Sequence, residues 1–279
     1  MHPLKIVLCQ MKVGAKKDTN LTRAQEMLQE AASRKASLAI LPEMFNCPYE
    51  ARHFPDYAEP YPGKTTEFLA AMARELNLAI VGGSIPEKDA AGNIYNTSYT
   101  FNNKGQLINH YRKIHLFDID IPGQITFKES DTLSAGNQIN VFTLAGVSLA
   151  TVICYDIRFP ELIRLATLKG AQVLIIPASF NLTTGPLHWE LLMRCRAVDN
   201  QCYIMAASAA RNTEASYQAW GHSLVIDPWG RILAEAGESE ALIETEIDLG
   251  YLEKIRQELP LLKHRRTDLY QISCQEGLK

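Results

Sequence analysis

Cys154 closes the run Val147-Ser148-Leu149-Ala150-Thr151-Val152-Ile153 and is followed at once by Tyr155-Asp156-Ile157-Arg158-Phe159-Pro160-Glu161. A buried strand that stops on a cysteine and turns into a helix presents one sulfur at the rim of a sheet. Pro160 suits the first helical turn, where its missing N–H leaves nothing unpaired, and Glu161 complements the positive helix start. A thiol near a helix N-terminus is expected to ionise more readily, and the thiolate is the nucleophilic form. Three charged residues can serve that sulfur. Glu43 follows Leu38-Ala39-Ile40-Leu41-Pro42, Lys113 ends Ile108-Asn109-His110-Tyr111-Arg112, and Glu129 lies in the long segment Ile114 to Gly136. In open α/β sheets chemistry gathers at the carboxyl ends of strands, so Glu43, Lys113 and Cys154 are expected on one rim. Each of these charges alone also reads as a solvated surface group. Their joint pattern carries the argument.

The elements that must position them follow from periodicity. Lys5 to Gln10 reads as a buried strand, and Asp18 or Asn20 is expected to cap a helix with Leu21, Ala24, Met27, Leu28, Ala31 and Ala32 on its apolar face. Ser37 to Leu41 reads as a strand, Thr65 to Leu76 as a helix, and Leu78 to Gly83 as a third strand. Ile94 to Phe101 and Gln106 to Arg112 form a hairpin around Asn102-Asn103-Lys104-Gly105. A tighter hairpin joins Val141–Leu144 to Val147–Ile153 through Ala145-Gly146. Beyond the cysteine come a helix from Pro160, a strand over Gln172–Ile176, a helix from Pro186 to Val198 and a strand over Cys202–Ala207. Ala219–Ile226 and Arg231–Ala236 read as strands joined by Asp227-Pro228-Trp229-Gly230, a type I turn signature. Asp248 starts a closing helix to Leu259, and the tail beyond Pro260 reads as polar and extended. The class is α/β with mixed sheets covered by helices, and two such sheets face to face would give a four-layer helix–sheet–sheet–helix sandwich.

Composition bounds the function. The 279 residues, 47% hydrophobic and 21% charged, make an ordinary globular chain, and no linker or repeat divides it, so a single domain is expected over 1–279 with a tail from about 260. A formal net charge of -3 gives no footing for nucleic acid, and no apolar run is long enough for a membrane span. Met1-His2-Pro3-Leu4-Lys5 leads straight into a strand without a signal-peptide core. Six scattered cysteines (9, 47, 154, 195, 202 and 274) lack paired metal spacing and read as reduced thiols of a cytoplasmic protein needing no metal or other cofactor.

Three blocks resemble the nitrilase or carbon–nitrogen hydrolase superfamily, in that family's order: Leu41-Pro42-Glu43-Met44-Phe45, Tyr111-Arg112-Lys113-Ile114-His115-Leu116-Phe117, and Cys154 to Glu161. The likeness runs from Lys5 to roughly Tyr270. Within the superfamily the omega-amidase branch is most similar, on Asn46-Cys47-Pro48-Tyr49, Gly83-Ser84-Ile85-Pro86-Glu87, Ile114 to Gly123, Phe180 to Pro186 and Ala219 to Ser223. The resemblance implies the layered sandwich, a homodimer with the tail crossing to its partner, and a Glu-Lys-Cys triad at Glu43, Lys113 and Cys154 with Glu129 beside it. It implies hydrolysis of the terminal carboxamide of a short 2-oxo acid through a cysteine thioester.

These residue types suit that chemistry. A thiolate splits amide hydrolysis into acylation and deacylation, each with a lower barrier. Glu43 can take the thiol proton, deliver it to departing ammonia and then activate water, provided burial or a neighbouring carboxylate such as Glu129 raises its pKa. Lys113 and the backbone N–H of Tyr155 suit the developing oxyanion, and Glu129 suits orientation of Lys113. Arg158 is the candidate for the far carboxylate of the substrate, against an alternative ion pair with Glu161 or Asp156. Tyr49, Phe117 and the loop Asn181 to Thr184, including Thr183, are expected to shape the pocket. Rival readings stay open at this stage. A Cys-His-Asn enzyme would use His188 or His222, which read as packing residues in a helix and a strand, and Cys47 is an alternative thiol in an irregular loop. Cys9, Cys195 and Cys202 are expected in the core. A deaminated-glutathione amidase, a nitrilase proper and a silent binding protein on the same fold complete the alternatives.

Overall fold

A computed structural model describes residues 4–274. Seven strands make the first sheet: β1 (Leu4–Gln10), β2 (Leu38–Ile40), β3 (Ala79–Val81), β4 (Ile85–Lys88), β5 (Ile94–Phe101), β6 (Leu107–Arg112) and a final strand near the C-terminus. A separate two-stranded hairpin, β7 (Asp118–Ile121) and β8 (Ile125–Lys128), lies within the long segment Ile114 to Gly136, to which no element was assigned. The second sheet holds β9 (Val141–Leu144), β10 (Val147–Thr151), β11 (Val173–Ala178), β12 (Tyr203–Ser208), β13 (Leu224–Ile226) and β14 (Ile232–Glu235). The last strand, β15 (Ala241–Ile247), returns to the first sheet and pairs antiparallel with β1 along its whole length. Six α-helices occur among the described residues: α1 (Lys17–Ser33), α2 (Phe54–Tyr57), α3 (Lys64–Glu75), α4 (Pro160–Leu168), α5 (Gly185–Asn200) and α6 (Leu249–Glu258).

Alternation along the strands builds the layers. Ile6 and Leu8 of β1 enter a core shared with Val173 and Ile175 of β11, so the two sheets face one another there. Val7 and Cys9 point the other way, onto Leu21, Leu28, Leu69 and Met72 of α1 and α3. Leu174 and Ile176 likewise meet Leu162, Ile163, Trp189 and Met193 of α4 and α5. The result is the helix–sheet–sheet–helix sandwich. Each fully buried Leu or Ile in these layers contributes about 1.5–3 kcal/mol.

Several boundaries differ from the sequence reading for identifiable reasons. Helix α1 starts before both candidate caps, because Asn20 turns back to bind the N–H and C=O of Gly14, each at 2.8 Å. The strand expected from Ala219 shortens to Leu224–Ile226, since Gly221 and His222 adopt positive φ and break the ladder. His222 therefore lies outside any strand and stacks on Trp220. Cys9 and Cys202 are buried, but Cys195 is exposed: the inward face of α5 is Trp189, Met193, Ala197 and Asn200, which turns Cys195 to the opposite side. Turns at 261–263 and 267–269 break up the tail that was expected to be extended, and residues 270–274 follow without regular structure.

The topology brings three strand exits together. β2 is parallel to β3, and β5 is antiparallel to both β3 and β6, so β2 and β6 end on the same edge. Glu43, Lys113 and Cys154 follow the ends of β2, β6 and β10. The turn after β2 is locked by Gly83-Ser84: Ser84 Oγ accepts the N–H of Met44 at 3.0 Å, and Gly83, at φ +50°, lies so close that a Cβ would sit 1.9 Å from Pro42 O. Gly83→Ala is therefore expected to destabilise the fold by about 2 kcal/mol or more. Urea titration checks this against Gly92→Ala, where φ is +90° but nothing lies within 4 Å. Equal losses would show that crowding at Pro42 is not the cause.

Candidate active site

The three strand exits and the β7–β8 hairpin deliver their charges to one sealed place. Lys113 Nζ lies 2.9 Å from Glu43 Oε1 and 2.9 Å from Glu129 Oε1, and all three side chains are fully buried. Glu129 follows β8, and its Oε2 accepts the backbone N–H of Phe117 at 2.7 Å, so the hairpin is closed upon the lysine. Tyr49 OH donates to Glu129 Oε1 at 2.8 Å and reaches Glu43 Oε1 at 3.3 Å. Asn96 of β5 donates its Nδ2 to Glu43 Oε1 at 2.9 Å, while its carbonyl accepts the N–H of Lys113 at 2.8 Å. Oε1 of Glu43 is thus occupied by Lys113, Asn96 and Tyr49, and Oε2 has no such partner among the described residues. Oε2 is the oxygen left to exchange a proton with Cys154.

Cys154 starts a five-residue 3-10 turn, Cys154–Arg158, with φ +44°. Left-handed backbone at a non-glycine residue is held only where the surroundings insist on it. Here Asp156 supplies the constraint. Its buried carboxylate accepts Tyr111 OH at 2.7 Å, His115 N at 2.9 Å and Ile153 N at 3.0 Å, with His115 Nδ1 at 2.8 Å. One side chain therefore ties the cysteine turn to the residues on both sides of Lys113.

The electrostatics correct one expectation. Burial first, and then the Glu43 carboxylate, push the Cys154 thiol well above its usual pKa, although Lys113 and the Ser179 N–H work against the shift. The helical start at the sulfur is only the short 3-10 turn Cys154–Arg158, with α4 beginning at Pro160, and it does not offset the cost of burial. The surroundings therefore favour the thiol over the thiolate. Burial likewise raises Glu43, with Lys113 opposing and Glu129 reinforcing the shift, so the carboxylate is the stronger base for it. Burial works against the Lys113 charge, yet Glu129 and Glu43 overcome it and hold the ammonium above its ordinary pKa.

The remaining candidates divide. Tyr49, Phe117, Tyr155, Phe127 and Tyr217 form an aromatic wall, with Tyr49 stacked on Phe127 at 5.4 Å and against Tyr217 at 4.6 Å. Arg158 makes neither expected ion pair: Asp156 is taken up by its four bonds, and no carboxylate lies within 4 Å of the guanidinium among the described residues. Its NH1 instead meets His188 Nδ1 at 3.1 Å, and its plane lies 4.9 Å from the Phe180 ring. His188 is thus a partner of Arg158, not of Cys154. Asn181 Oδ1 accepts the N–H groups of Thr183 and Thr184 and folds the loop before α5, while its amide faces the Tyr217 hydroxyl; Thr183 joins only through its backbone. Cys47 is buried, and burial raises its thiol pKa. A cavity of about 380 Å³ adjoins Glu43, Tyr49, Ser179 and Tyr217, with Asn212, Glu214 and Ser216 toward its mouth. Neither Cys154 nor Arg158 lines it. Among the described residues no group of three or more metal-ligating side chains is brought together.

Sequence reasoning missed Asn96, Asp156, Ser179 and Tyr217. Asn96 and Asp156 carried a usable signal, a polar side chain in a buried strand and a carboxylate two residues past the thiol. Ser179 acts through its backbone and Tyr217 from a loop, so residue type gave no warning of either.

This fold and site belong to a known class. The carbon-nitrogen hydrolase family profile matches residues 5–257, and the chain belongs to that family. The omega-amidase NIT2 of Mus musculus is 49% identical over 276 residues, spanning 99% of this chain and 100% of the relative. The omega-amidase NIT2 of Homo sapiens gives the same identity and coverage, 49% over 276 residues. The crystal structure of Saccharomyces cerevisiae Nit3, a member of branch 10 of the nitrilase superfamily, matches with a TM-score of 0.88 and 43% identity, over 95% of this chain and 97% of that one.

Because Glu129 raises Glu43, Glu129→Gln is expected to lower the pKa of the base. The acid limb of the pH profile of kcat/KM should then move to lower pH, whatever happens to the plateau. A limb that stays in place or moves upward would contradict this coupling.

Proposed function

We propose that the protein is an omega-amidase that hydrolyses the terminal carboxamide of 2-oxoglutaramate or 2-oxosuccinamate to the free acid and ammonia. The sealed cluster around Cys154 supports a thioester mechanism. The substrate carbonyl oxygen lies between Lys113 Nζ, which has one of its three N–H donors left, and the N–H of Tyr155, at the start of a turn where backbone donors lack helical partners. Glu43 Oε2 takes the thiol proton as sulfur attacks carbon. It passes that proton to the amide nitrogen, the C–N bond breaks and ammonia leaves. Water then gives a proton to Glu43 as its oxygen attacks the thioester, and the released thiolate recovers the proton. Glu129 keeps Lys113 aimed and charged throughout.

The observation that carries the substrate class is Arg158. A guanidinium without a carboxylate partner, lowered in pKa by burial and lying in the same turn as Cys154, is a receptor for an anionic group at the far end of a short substrate. The names of the relatives support the same substrates. The chain from about residue 4 to 258 works as one catalytic unit, in the cytoplasm. The outward face of α5, with Leu187 and Leu191 exposed beside Trp229, supports a homodimer.

The test is ammonia release from 2-oxoglutaramate, deaminated glutathione and a simple nitrile, with kcat/KM expected to be highest for the first. A preference for either other compound would replace the proposed substrate. Arg158→Gln should raise KM for 2-oxoglutaramate by about 10- to 100-fold, the worth of a charge-assisted hydrogen-bond pair, and leave a neutral amide unaffected. Equal losses on both substrates would remove Arg158 from carboxylate recognition.

A further inference from the structure

Five buried polar atoms that the mechanism does not use sit on inward-facing strand positions, four of them on the neighbouring strands β5 and β6. Asn96 Oδ1, Ser98 Oγ, Thr100 Oγ1, Asn109 Nδ2 and Thr151 Oγ1 are all shielded from the surface and hydrogen-bond to no protein group. Asn96, Ser98 and Thr100 alternate along β5 and so share a face. Thr100 pairs with Asn109 on β6 and with Val81 on β3, and Val81 belongs to the core between the sheets, which fixes that face as the inner one. Thr151 lies opposite Ile175, a member of the same core, so it projects inward from the second sheet.

The row has two distinct ends. Asn109, with Asn140, Phe142 and Lys169, lines a recess open to the surface beside the edge of the second sheet. Asn96 ends the row at the base, since its Nδ2 is hydrogen-bonded to Glu43. From Asn96 to Thr100 the strand covers about 13 Å at ~3.3 Å per residue.

Buried hydroxyls and amides without partners destabilise a core that valine or alanine would fill better, unless water satisfies them. Polar atoms about 5–7 Å apart, the spacing of cross-strand and alternate positions on one face, suit single bridging waters with two or more partners each. We infer that a file of ordered water runs between the sheets from the Asn109 recess to Asn96 and supplies the hydrolytic water that Glu43 activates. Its kinetic role rests on the thioester reading above; its presence does not.

Two measurements test it. A high-resolution crystal structure should show a chain of ordered waters bonded to Thr100 Oγ1, Ser98 Oγ and Asn96 Oδ1. A dry interior there overturns the inference, whatever the substrate proves to be. The second compares wild type with Ser98→Ala/Thr100→Val during 2-oxoglutaramate turnover in added hydroxylamine, which competes with water for the thioester and gives the hydroxamate. The ratio of hydroxamate to acid should rise about tenfold in the variant, a change of 1.4 kcal/mol in relative barrier. An unchanged ratio, with the variant as stable as wild type or more so, overturns the supply role. No hydroxamate from either protein would sink the thioester reading itself.

Discussion

The structure depends on burying one ammonium ion. Lys113 is fully enclosed and would be strongly disfavoured there alone, because an isolated charge in a low-dielectric interior loses hydration that nothing replaces. Two carboxylates at 2.9 Å make the burial tolerable, and they come from distant parts of the chain. Glu43 arrives on the turn after β2, and Glu129 arrives on the β7–β8 hairpin, whose Phe117 flank supplies the N–H that holds it. Removing either acid leaves an uncompensated charge. The cation therefore enforces the meeting of three segments that packing alone would leave free to shift.

The same enclosure decides the chemistry. In a dry site burial raises the pKa of both Glu43 and the Cys154 thiol, so the carboxylate is a stronger base and the sulfur a weaker acid than either would be in water. In the proposed mechanism proton transfer and attack are thereby coupled, and a sulfur kept as thiol reacts little with solvent oxidants. The three donors on Glu43 Oε1 give the carboxylate a fixed side and a working side. Asp156 does the corresponding work for the sulfur, holding the strained backbone of Cys154 against the strand exit that carries Lys113.

Much of this was legible in the chain, and the remainder was hidden for physical reasons. The apolar runs of β1, β11 and β12 and the turn residues of the β5–β6 hairpin mark their elements plainly. Strand β15 escaped because Glu244 and Glu246 interrupt it, as edge strands tolerate, and its partner β1 lies more than two hundred residues away. The β7–β8 hairpin escaped because its strands are four residues each and half exposed. Cys195 was misplaced because its surroundings are helical but the buried face of α5 could not be told from its apolar outer face. The residues of the charged cluster were recognisable by type and strand-end position, whereas the bonds of Asn96 and Asp156 depend on tertiary geometry. The thiolate expectation failed because desolvation, which a sequence does not display, outweighs a helix start that lies six residues on.

The most direct test of the account is intact-protein mass spectrometry of the wild-type enzyme and of Glu43→Gln, each mixed with 2-oxoglutaramate and quenched in acid during turnover. Part of the wild-type protein should carry one acyl group, which peptide mapping should place on Cys154, whereas Glu43→Gln, lacking the base that takes the thiol proton, should form it far more slowly. An adduct on Cys47 or another thiol, or equally fast acylation of Glu43→Gln, would contradict a mechanism in which that carboxylate and that sulfur work as a pair.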